Sequence, residues 1–172
     1  MSKDKSGSDL FPELYQELHR LAQKKMAGVG LGHTLSPTAL VHEAFLKMTH
    51  AGQFEDSAHF YRCAALAMQQ ILVDHARKKT AEKRGGAGMK RQPLEDKDLE
   101  TTTDPDVILG VHEALTALAE EDAFAADLAR LRLFAGLSVE EAGEKLGASR
   151  ATAFREWSFA RAFLMSRLAT RE

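Results

Sequence analysis

The stretch SVEEAGEKLGASRATAFREW, residues 138–157, is predicted to form two short helices that meet at a glycine. Ser138 can cap the first helix, and Glu141 three residues later completes a capping box. Gly147 suits the left-handed residue that ends a helix, and Ser149 can cap the next helix after a turn of about three residues. This order of signals is typical of a helix-turn-helix.

The second helix of this stretch separates an apolar face from a basic face. A core-facing stripe at helical spacing is formed by Ala153, Trp157, Ala160, Leu164 and Leu168. The opposite face, near the helix N-terminus, carries Arg150, Ala151, Phe154, Arg155 and Ser158. In helix-turn-helix proteins this region enters the major groove, where arginine contacts guanine or phosphate and an apolar ring contacts a thymine methyl group. The stretch therefore predicts DNA binding, and a plain helical hairpin is the alternative with the same shape.

The composition indicates an all-α protein from a reducing compartment. Hydrophobic residues make up 44% of the 172 residues, with few β-branched side chains and no alternating runs. The single cysteine, Cys63, excludes an internal disulfide, and its apolar helical surroundings favour packing over chemistry. No apolar run is long enough to span a membrane, and the first residues are too polar for a signal peptide. We therefore expect a cytoplasmic protein.

Charge is distributed unevenly along the chain. The formal net charge is −2, which argues against a protein that binds DNA by itself through phosphate neutralisation. A basic run between residues 77 and 91 precedes an acidic run between residues 95 and 106. The basic run is also compatible with a solvated linker flank. A weak overall field with a local basic patch predicts DNA binding that another protein assists.

The N-terminal half carries the signals of three helices. Residues 10–27 are predicted to form the first helix. Ser36 as the N-cap and Pro37 at the first helical position begin the second helix. Ser57 is predicted to cap a third, longer helix that runs to about Lys79. Each of the three has an apolar stripe at helical spacing, which predicts a small three-helix unit.

The C-terminal half is separated from these helices by a segment of linker composition. Residues 81–104 contain several glycines, a proline and a threonine run. Residues 105–119 and 121–135 are predicted to form two further helices, and Gly136 ends the second. The helix-turn-helix follows directly.

Three long motifs in this order resemble the extracytoplasmic-function (ECF) type of bacterial sigma-70 factors. They are LSPTALVHEAFLKM, AHFYRCAALAMQQILVDHARKKTAEKRGG and LFAGLSVEEAGEKLGASRATAFREWSFARAFL. The first two are similar to the subgroup with LxPTALVHEA and ILVDHAR signatures. The resemblance implies an all-α fold of two small domains joined by a flexible linker. These are a region 2-like domain at 8–80, the linker at 81–104 and a region 4-like helix-turn-helix domain at 105–170.

The resemblance also implies a role for each motif. The protein is expected to direct core RNA polymerase to promoter DNA, contacting the β′ clamp and the β flap. The clamp contact is expected at His42, Glu43, Leu46 and Lys47. The loop at 51–57 is expected to capture a base flipped from the −10 element, with Phe54 where relatives often carry tryptophan. Further −10 contacts are expected at Gln69, Gln70, His75, Arg77, Lys78, Lys79, Lys83 and Arg84.

The −35 element is expected to be read by the second helix of the helix-turn-helix, through the exposed face named above. An anti-sigma factor or a regulatory kinase is a further partner compatible with the resemblance. The sequence departs from the family pattern at Gln69 and Gln70, where arginines are usual, and at Phe154, where a lysine is usual. Because these changes remove phosphate contacts, we expect weak promoter affinity or an unusually strong dependence on polymerase.

Two other classes of function compete with this interpretation. A conventional helix-turn-helix regulator that binds an operator as a dimer is the alternative, and a polymerase requirement for DNA binding distinguishes the two. A metal enzyme would have to use His33, His42, Glu43, His50 and His59. These residues lie on different predicted elements without a metal-binding spacing, so we expect no metal, no cofactor and no catalysis.

Overall fold

The computed structural model describes residues 11–27, 35–49, 54–83, 99 and 104–170. These residues contain seven helices and no strand, which confirms the all-α prediction. The helices are α1 (Phe11–Ala27), α2 (Pro37–Thr49), α3 (Ser57–Lys83), α4 (Pro105–Glu121), α5 (Ala123–Phe134), α6 (Val139–Lys145) and α7 (Arg150–Ala169). In this part of the chain, none of the helices combines the length and the apolar character needed to cross a membrane.

The starts of α2 and α3 follow local capping chemistry. The Ser36 hydroxyl accepts a hydrogen bond from the Ala39 amide at 3.1 Å, which confirms Ser36 as the cap of α2. The predicted cap of α3 is wrong by one residue, because the Asp56 carboxylate accepts from the His59 amide at 2.7 Å and Ser57 is the first helical residue. Aspartate is at least as good a cap as serine, and here it lies at the right distance from the free amide.

Helices α1, α2 and α3 form the N-terminal unit. Most of the predicted stripe residues that are described are buried, including Leu18 and Leu21 on α1 and Leu40 and Val41 on α2, whereas Phe45 on α2 is half-buried. The stripe predicted on α3 is buried, at Phe60, Ala64, Ala67 and Ile71. The helix is buried on more than this stripe, since Met68, Leu72, Val73 and Ala76 are also inside. Such a helix packs on both sides, and α3 contacts α2 as well as α4 and α5.

Helices α4 to α7 form the C-terminal unit. Asp122 separates α4 from α5 and caps α5, accepting a hydrogen bond from the Ala125 amide at 3.0 Å. The two helices predicted here are confirmed. Gly136, predicted to end the second, has a φ of 73°, the left-handed conformation that glycine tolerates best. Helix α7 packs against α4, α5 and α6, so it is held on three sides.

The two units share one contiguous cluster of buried apolar side chains, with α3 between them. Three parts of the predicted linker are described. Residues 81–83 extend α3, Leu99 is helical and buried in the cluster, and Asp104 caps α4. The rest of the linker, residues 84–98 and 100–103, lies outside the described residues. The domain boundaries inferred from the sequence stay a prediction.

Candidate nucleic-acid and polymerase interfaces

The helix-turn-helix predicted from the sequence is present at α6 and α7. Ser138 accepts a hydrogen bond from the Glu141 amide at 3.1 Å, and Ser149 accepts one from the Thr152 amide at 3.2 Å. Gly147 has a φ of 77° and ends the first helix as predicted. The capping box is only half formed, because the Glu141 carboxylate binds Lys24 of α1 instead of returning to its own helix end.

The crossing of α6 and α7 depends on a small residue. A Cβ atom at Gly143 would lie 2.5 Å from the Cβ of Ala153, which is too close for any side chain. Glycine on one helix and alanine on the other therefore bring the two axes together. This close crossing determines how α7 is presented to the surface.

Helix α7 has the two faces that the sequence predicts. The stripe on the inner side is buried, and Trp157 within it lies under the guanidinium of Arg132, whose Cζ is 5.8 Å from the ring centroid. The outer face is exposed along its whole predicted length, at Arg150, Ala151, Phe154, Arg155 and Ser158. The exposed fractions are 77% for the Arg150 side chain and 73% for the Arg155 side chain. A basic and partly aromatic surface is thus open at the N-terminal half of α7.

The Arg150 guanidinium is held between two neighbours. Its Cζ lies 5.6 Å from the centroid of the Phe154 ring, and its Nη2 lies 3.5 Å from the Glu140 carboxylate on α6. Stacking on an aromatic ring and pairing with a carboxylate both restrict a flexible arginine. No sequence pattern points to Glu140, because its proximity to Arg150 arises only when α6 crosses α7.

The second arginine of this face is less restricted. Arg155 lies 3.9 Å from Glu156, the next residue along the helix. Burial and the neighbouring Asp122 raise the pKa of the Glu156 carboxyl, whose side chain turns inward toward the cap of α5. Arg155 therefore keeps its guanidinium directed away from the core and toward solvent.

The polymerase-binding residues predicted on α2 share one exposed surface. His42, Glu43, Leu46 and Lys47 are all exposed, and 62% of Leu46 is accessible. Tyr15 of α1 lies beside them, with its hydroxyl 3.1 Å from Nε2 of His42 and its ring 6.2 Å from that of Phe45. No sequence pattern points to Tyr15, which reaches this surface only because α1 packs along α2.

The end of α3 carries most of the predicted −10 contacts on its surface. Gln70, Arg77 and Lys78 are exposed, and His75 and Lys79 are half-buried. Arg77 pairs with Asp74 one turn earlier at 3.5 Å, a contact between exposed groups. Two predicted contacts cannot be located, because the side chain of Lys83 and all of Arg84 lie outside the described residues.

Gln69 is placed differently from its predicted neighbours. Only 1% of this residue is exposed, and its amide lies between α3 and the C-terminal unit. Nε of Arg130 donates to Oε1 of Gln69 at 2.9 Å, and Nε2 of Gln69 lies 2.8 Å from Nδ1 of His112. Because the amide nitrogen can only donate, Nδ1 of His112 accepts, and burial lowers the pKa of that imidazole. In this arrangement Gln69 is not accessible to DNA.

Phe54, the predicted base-capture residue, is half-buried beside the start of α3. Its ring meets those of Phe60 and His59 edge to face, with centroids 5.4 and 5.6 Å away. Residues 50–53, which precede it in the predicted capture loop, lie outside the described residues. The base-capture role stays a prediction.

A family model with the description ECF sigma factor matches residues 2–170, nearly the whole chain. The chain belongs to the ECF sigma factor family. Sigma factors are non-catalytic factors of transcription initiation that bind core RNA polymerase and promoter DNA. A comparison with curated proteins found no match, and neither did a comparison with solved structures.

The exposed faces of this sigma factor have a geometry that suits binding. Among the described residues, no group of three or more His, Cys, Asp or Glu side chains is arranged to hold a metal ion. Cys63 is half-buried, and burial raises the pKa of its thiol, which disfavours the thiolate form. The chemistry available at the exposed faces is hydrogen bonding, ion pairing and stacking.

Proposed function

We propose that this sigma factor reads the −35 promoter element with the exposed face of α7. The single observation that carries the proposal is the division of α7 into a buried stripe and an exposed face. All five predicted DNA-contacting residues lie on the exposed face. In a helix-turn-helix, this half of the second helix is the part that enters the major groove.

The chemistry of the face suits base recognition. Arg155 is suited to a bidentate contact with guanine, and the Phe154 ring, 41% exposed, is suited to a thymine methyl group. Arg150, held between Phe154 and Glu140, is suited to a backbone phosphate, which positions a helix without reading sequence.

We further propose that α2 binds the β′ clamp of RNA polymerase and that the end of α3 contacts the −10 element. Exposure of His42, Glu43, Leu46 and Lys47 supports the first assignment, and the exposed Gln70, Arg77 and Lys78 support the second. We also propose that this protein belongs to the subgroup with LxPTALVHEA and ILVDHAR signatures. It contacts the β flap as a second site on polymerase, and an anti-sigma factor or a regulatory kinase regulates it.

Run-off transcription with purified core polymerase tests the −35 assignment. Wild-type protein is expected to give defined transcripts from a genomic template library. Arg155→Ala is expected to relax the preference at one −35 position, a loss of about 1–3 kcal/mol of discrimination. Arg167→Ala is the matched control, because this arginine is exposed at the far end of the same helix and stacks on Phe163.

The outcomes separate the sigma role from the alternative. If both arginine variants keep the wild-type −35 preference, the assignment of α7 is wrong. If the protein binds a DNA site specifically and equally well without polymerase, and directs no transcription with it, the operator-binding regulator replaces the sigma role.

A further inference from the structure

The helix-turn-helix carries more acidic than basic side chains. Residues 138–158 contain four glutamates and three lysines or arginines. Sequence-independent affinity for DNA comes from basic side chains that neutralise phosphates, and a carboxylate near the phosphates opposes it. The positions of these seven charged side chains therefore decide what the exposed face of α7 offers to a DNA backbone.

Three of the seven charged side chains are engaged away from that face. Glu141 binds Lys24 of α1, and Glu156 turns inward toward the cap of α5. Nζ of Lys145 lies 5.0 Å from the centroid of the Tyr61 ring on α3. The surface formed by α6 and the N-terminal half of α7 therefore keeps two exposed arginines and two exposed glutamates, whose formal charges cancel.

The two exposed glutamates are placed differently. Glu140 and Glu144 lie one turn apart on α6, and Glu140 is the one that reaches α7. Its Oε1 lies 3.5 Å from Nη2 of Arg150, and the exposed fractions are 46% for the Glu140 side chain and 77% for the Arg150 side chain. A phosphate that approaches the Arg150 guanidinium from solvent therefore also approaches the Glu140 carboxylate.

A carboxylate beside an arginine can either orient the arginine for a ligand or compete with that ligand. Orientation depends on short, bidentate hydrogen bonds between the carboxylate and the fork of the guanidinium. The closest approach of Glu140 to Arg150, 3.5 Å, is longer than the 2.7–2.9 Å or so of a charge-assisted hydrogen bond. Because carboxylate and phosphate are both anions that attract the same guanidinium, this geometry favours competition.

We propose that Glu140 competes with DNA phosphate for Arg150 and so lowers the affinity of the helix-turn-helix for DNA of any sequence. The inference rests on the proposed function, since it requires the exposed face of α7 to lie on DNA. When Arg150 takes a phosphate, either its pair with Glu140 is lost or the carboxylate is carried toward a second anion. Both outcomes cost binding free energy.

The consequence is a larger share of protein that stays free in the presence of bulk DNA. Non-specific binding depends on phosphate contacts, whereas promoter binding also draws on base contacts. Genomic DNA offers far more non-specific sites than promoter sites. Weaker phosphate binding by Arg150 therefore leaves more of the protein available to polymerase.

Removal of the Glu140 charge tests the competition in the full chain. Fluorescence anisotropy across a salt series measures binding to two labelled duplexes, one of random sequence and one that the wild type transcribes with polymerase. Glu140→Gln is expected to raise the affinity for both duplexes by about threefold at low salt. The slope of log affinity against log salt is expected to steepen by about 0.9, the value of one further phosphate contact.

Glu144→Gln is the matched control, because it removes the same charge from an exposed position one turn farther along α6. It measures the general effect of a lost negative charge near DNA and is expected to keep the wild-type salt slope. In an Arg150→Ala background, Glu140→Gln is expected to do no more than Glu144→Gln. An equal gain from Glu140→Gln with and without Arg150 would overturn the competition.

A purely structural role for Glu140 predicts a different result. A carboxylate in the first turn of α6 suits the helix dipole, so Glu140→Gln is expected to lower the melting temperature slightly. A loss of helix stability cannot tighten DNA binding. Glu140→Asp decides the question if Glu140→Gln does not fold, since it keeps the charge at the helix end and withdraws the carboxylate from Arg150 by one methylene. A smaller gain in affinity is expected from Glu140→Asp, and no gain in either folded variant would overturn the proposal.

Substitutions of the two arginines separate this inference from the proposed function. Suppose that Arg150→Ala weakens binding to both duplexes, that Arg155→Ala relaxes the −35 preference and that Glu140→Gln changes nothing. In that case only the competition is wrong. If neither arginine substitution alters DNA binding, α7 is not the DNA-binding surface, and the proposed function fails together with the inference.

Discussion

At the boundary between the two units, burial of a charged side chain lowers the free energy of unfolding by an amount that depends on pH. Lys25 is the clearest case, because burial lowers the pKa of its ammonium group to about 8. Its Nζ donates to the Leu133 carbonyl and lies 5.9 Å from the centroid of the Phe134 ring. A neutral amine can still donate this hydrogen bond, and it escapes the cost of a buried charge.

The lowered pKa predicts a rise in stability at alkaline pH. Between about pH 8 and the ordinary lysine value, the unfolded chain binds more protons than the folded one, so the free energy of unfolding increases with pH. From about pH 7.5 to about pH 9.5 the Lys25 contribution is expected to grow by about 2 kcal/mol. Denaturant titrations of wild type and Lys25→Met across this range measure the difference.

Comparing wild type with Lys25→Met cancels the contributions that other titrating groups make to the pH dependence of stability. Tyr61 and Cys63, whose pKa values are both raised by burial, are present in wild type and variant alike, so their contributions cancel. Lys24→Met is the control and is expected to keep the pH slope, since Lys24 is exposed. An identical slope in wild type and in Lys25→Met would show that Lys25 is hydrated in solution.

At the scale of the element, α7 combines a structural face and a binding face in one helix. Trp157→Ala is expected to destabilise the protein by about 3–5 kcal/mol, because a large buried ring is lost and a cavity remains. Phe154→Ala is expected to change the free energy of unfolding by less than about 0.5 kcal/mol, because that ring lies on the surface. Thermal unfolding measures both.

Transcription assays further distinguish the effect of Phe154→Ala from that of Trp157→Ala. Phe154→Ala is expected to weaken the preference for thymine at one −35 position while the protein stays folded. The opposite result, with Trp157→Ala stable and Phe154→Ala unfolded, would mean that α7 is rotated about its axis from the orientation described.

Helix α2 has an exposed outer face, which we propose to bind core polymerase. Alanine at both Glu43 and Leu46 is expected to weaken binding to core polymerase by at least about tenfold, since a central apolar contact and a charge are removed together. Helicity is expected to remain, because alanine is the best helix former. Gln23→Ala, an exposed change on α1, is the control. Unchanged affinity for core in a titration would reject the clamp assignment.

Local sequence signals located the elements well. Ser36, Ser138 and Ser149 cap the helices that they were predicted to cap, and Gly136 and Gly147 take left-handed conformations. Capping and turn chemistry act over three or four residues, so they can be recognised before the fold is known. The exception is the start of α3, where Asp56 and Ser57 compete as neighbouring caps and geometry selects the aspartate.

At the scale of the whole molecule, the arrangement of the units depends on contacts between residues far apart in sequence. Gln69 and Arg130 are polar side chains that the helical pattern assigns to the surface, yet they meet inside the interface. Glu141, predicted to complete a capping box, binds Lys24 of another unit instead. No spacing rule connects such residues, because their proximity arises only when α3 packs on α4 and α5.

The sequence by itself determined the all-α class, the family, the caps and turns of the helix-turn-helix, and the two faces of α7. These properties depend on the period of a helix and on bonds between neighbours, which any arrangement of the units preserves. Only the tertiary structure decided that Gln69 is buried, that Glu140 holds Arg150 and that Gly136 lies against α1. These depend on how helices from distant parts of the chain are placed against each other, which local preferences leave open.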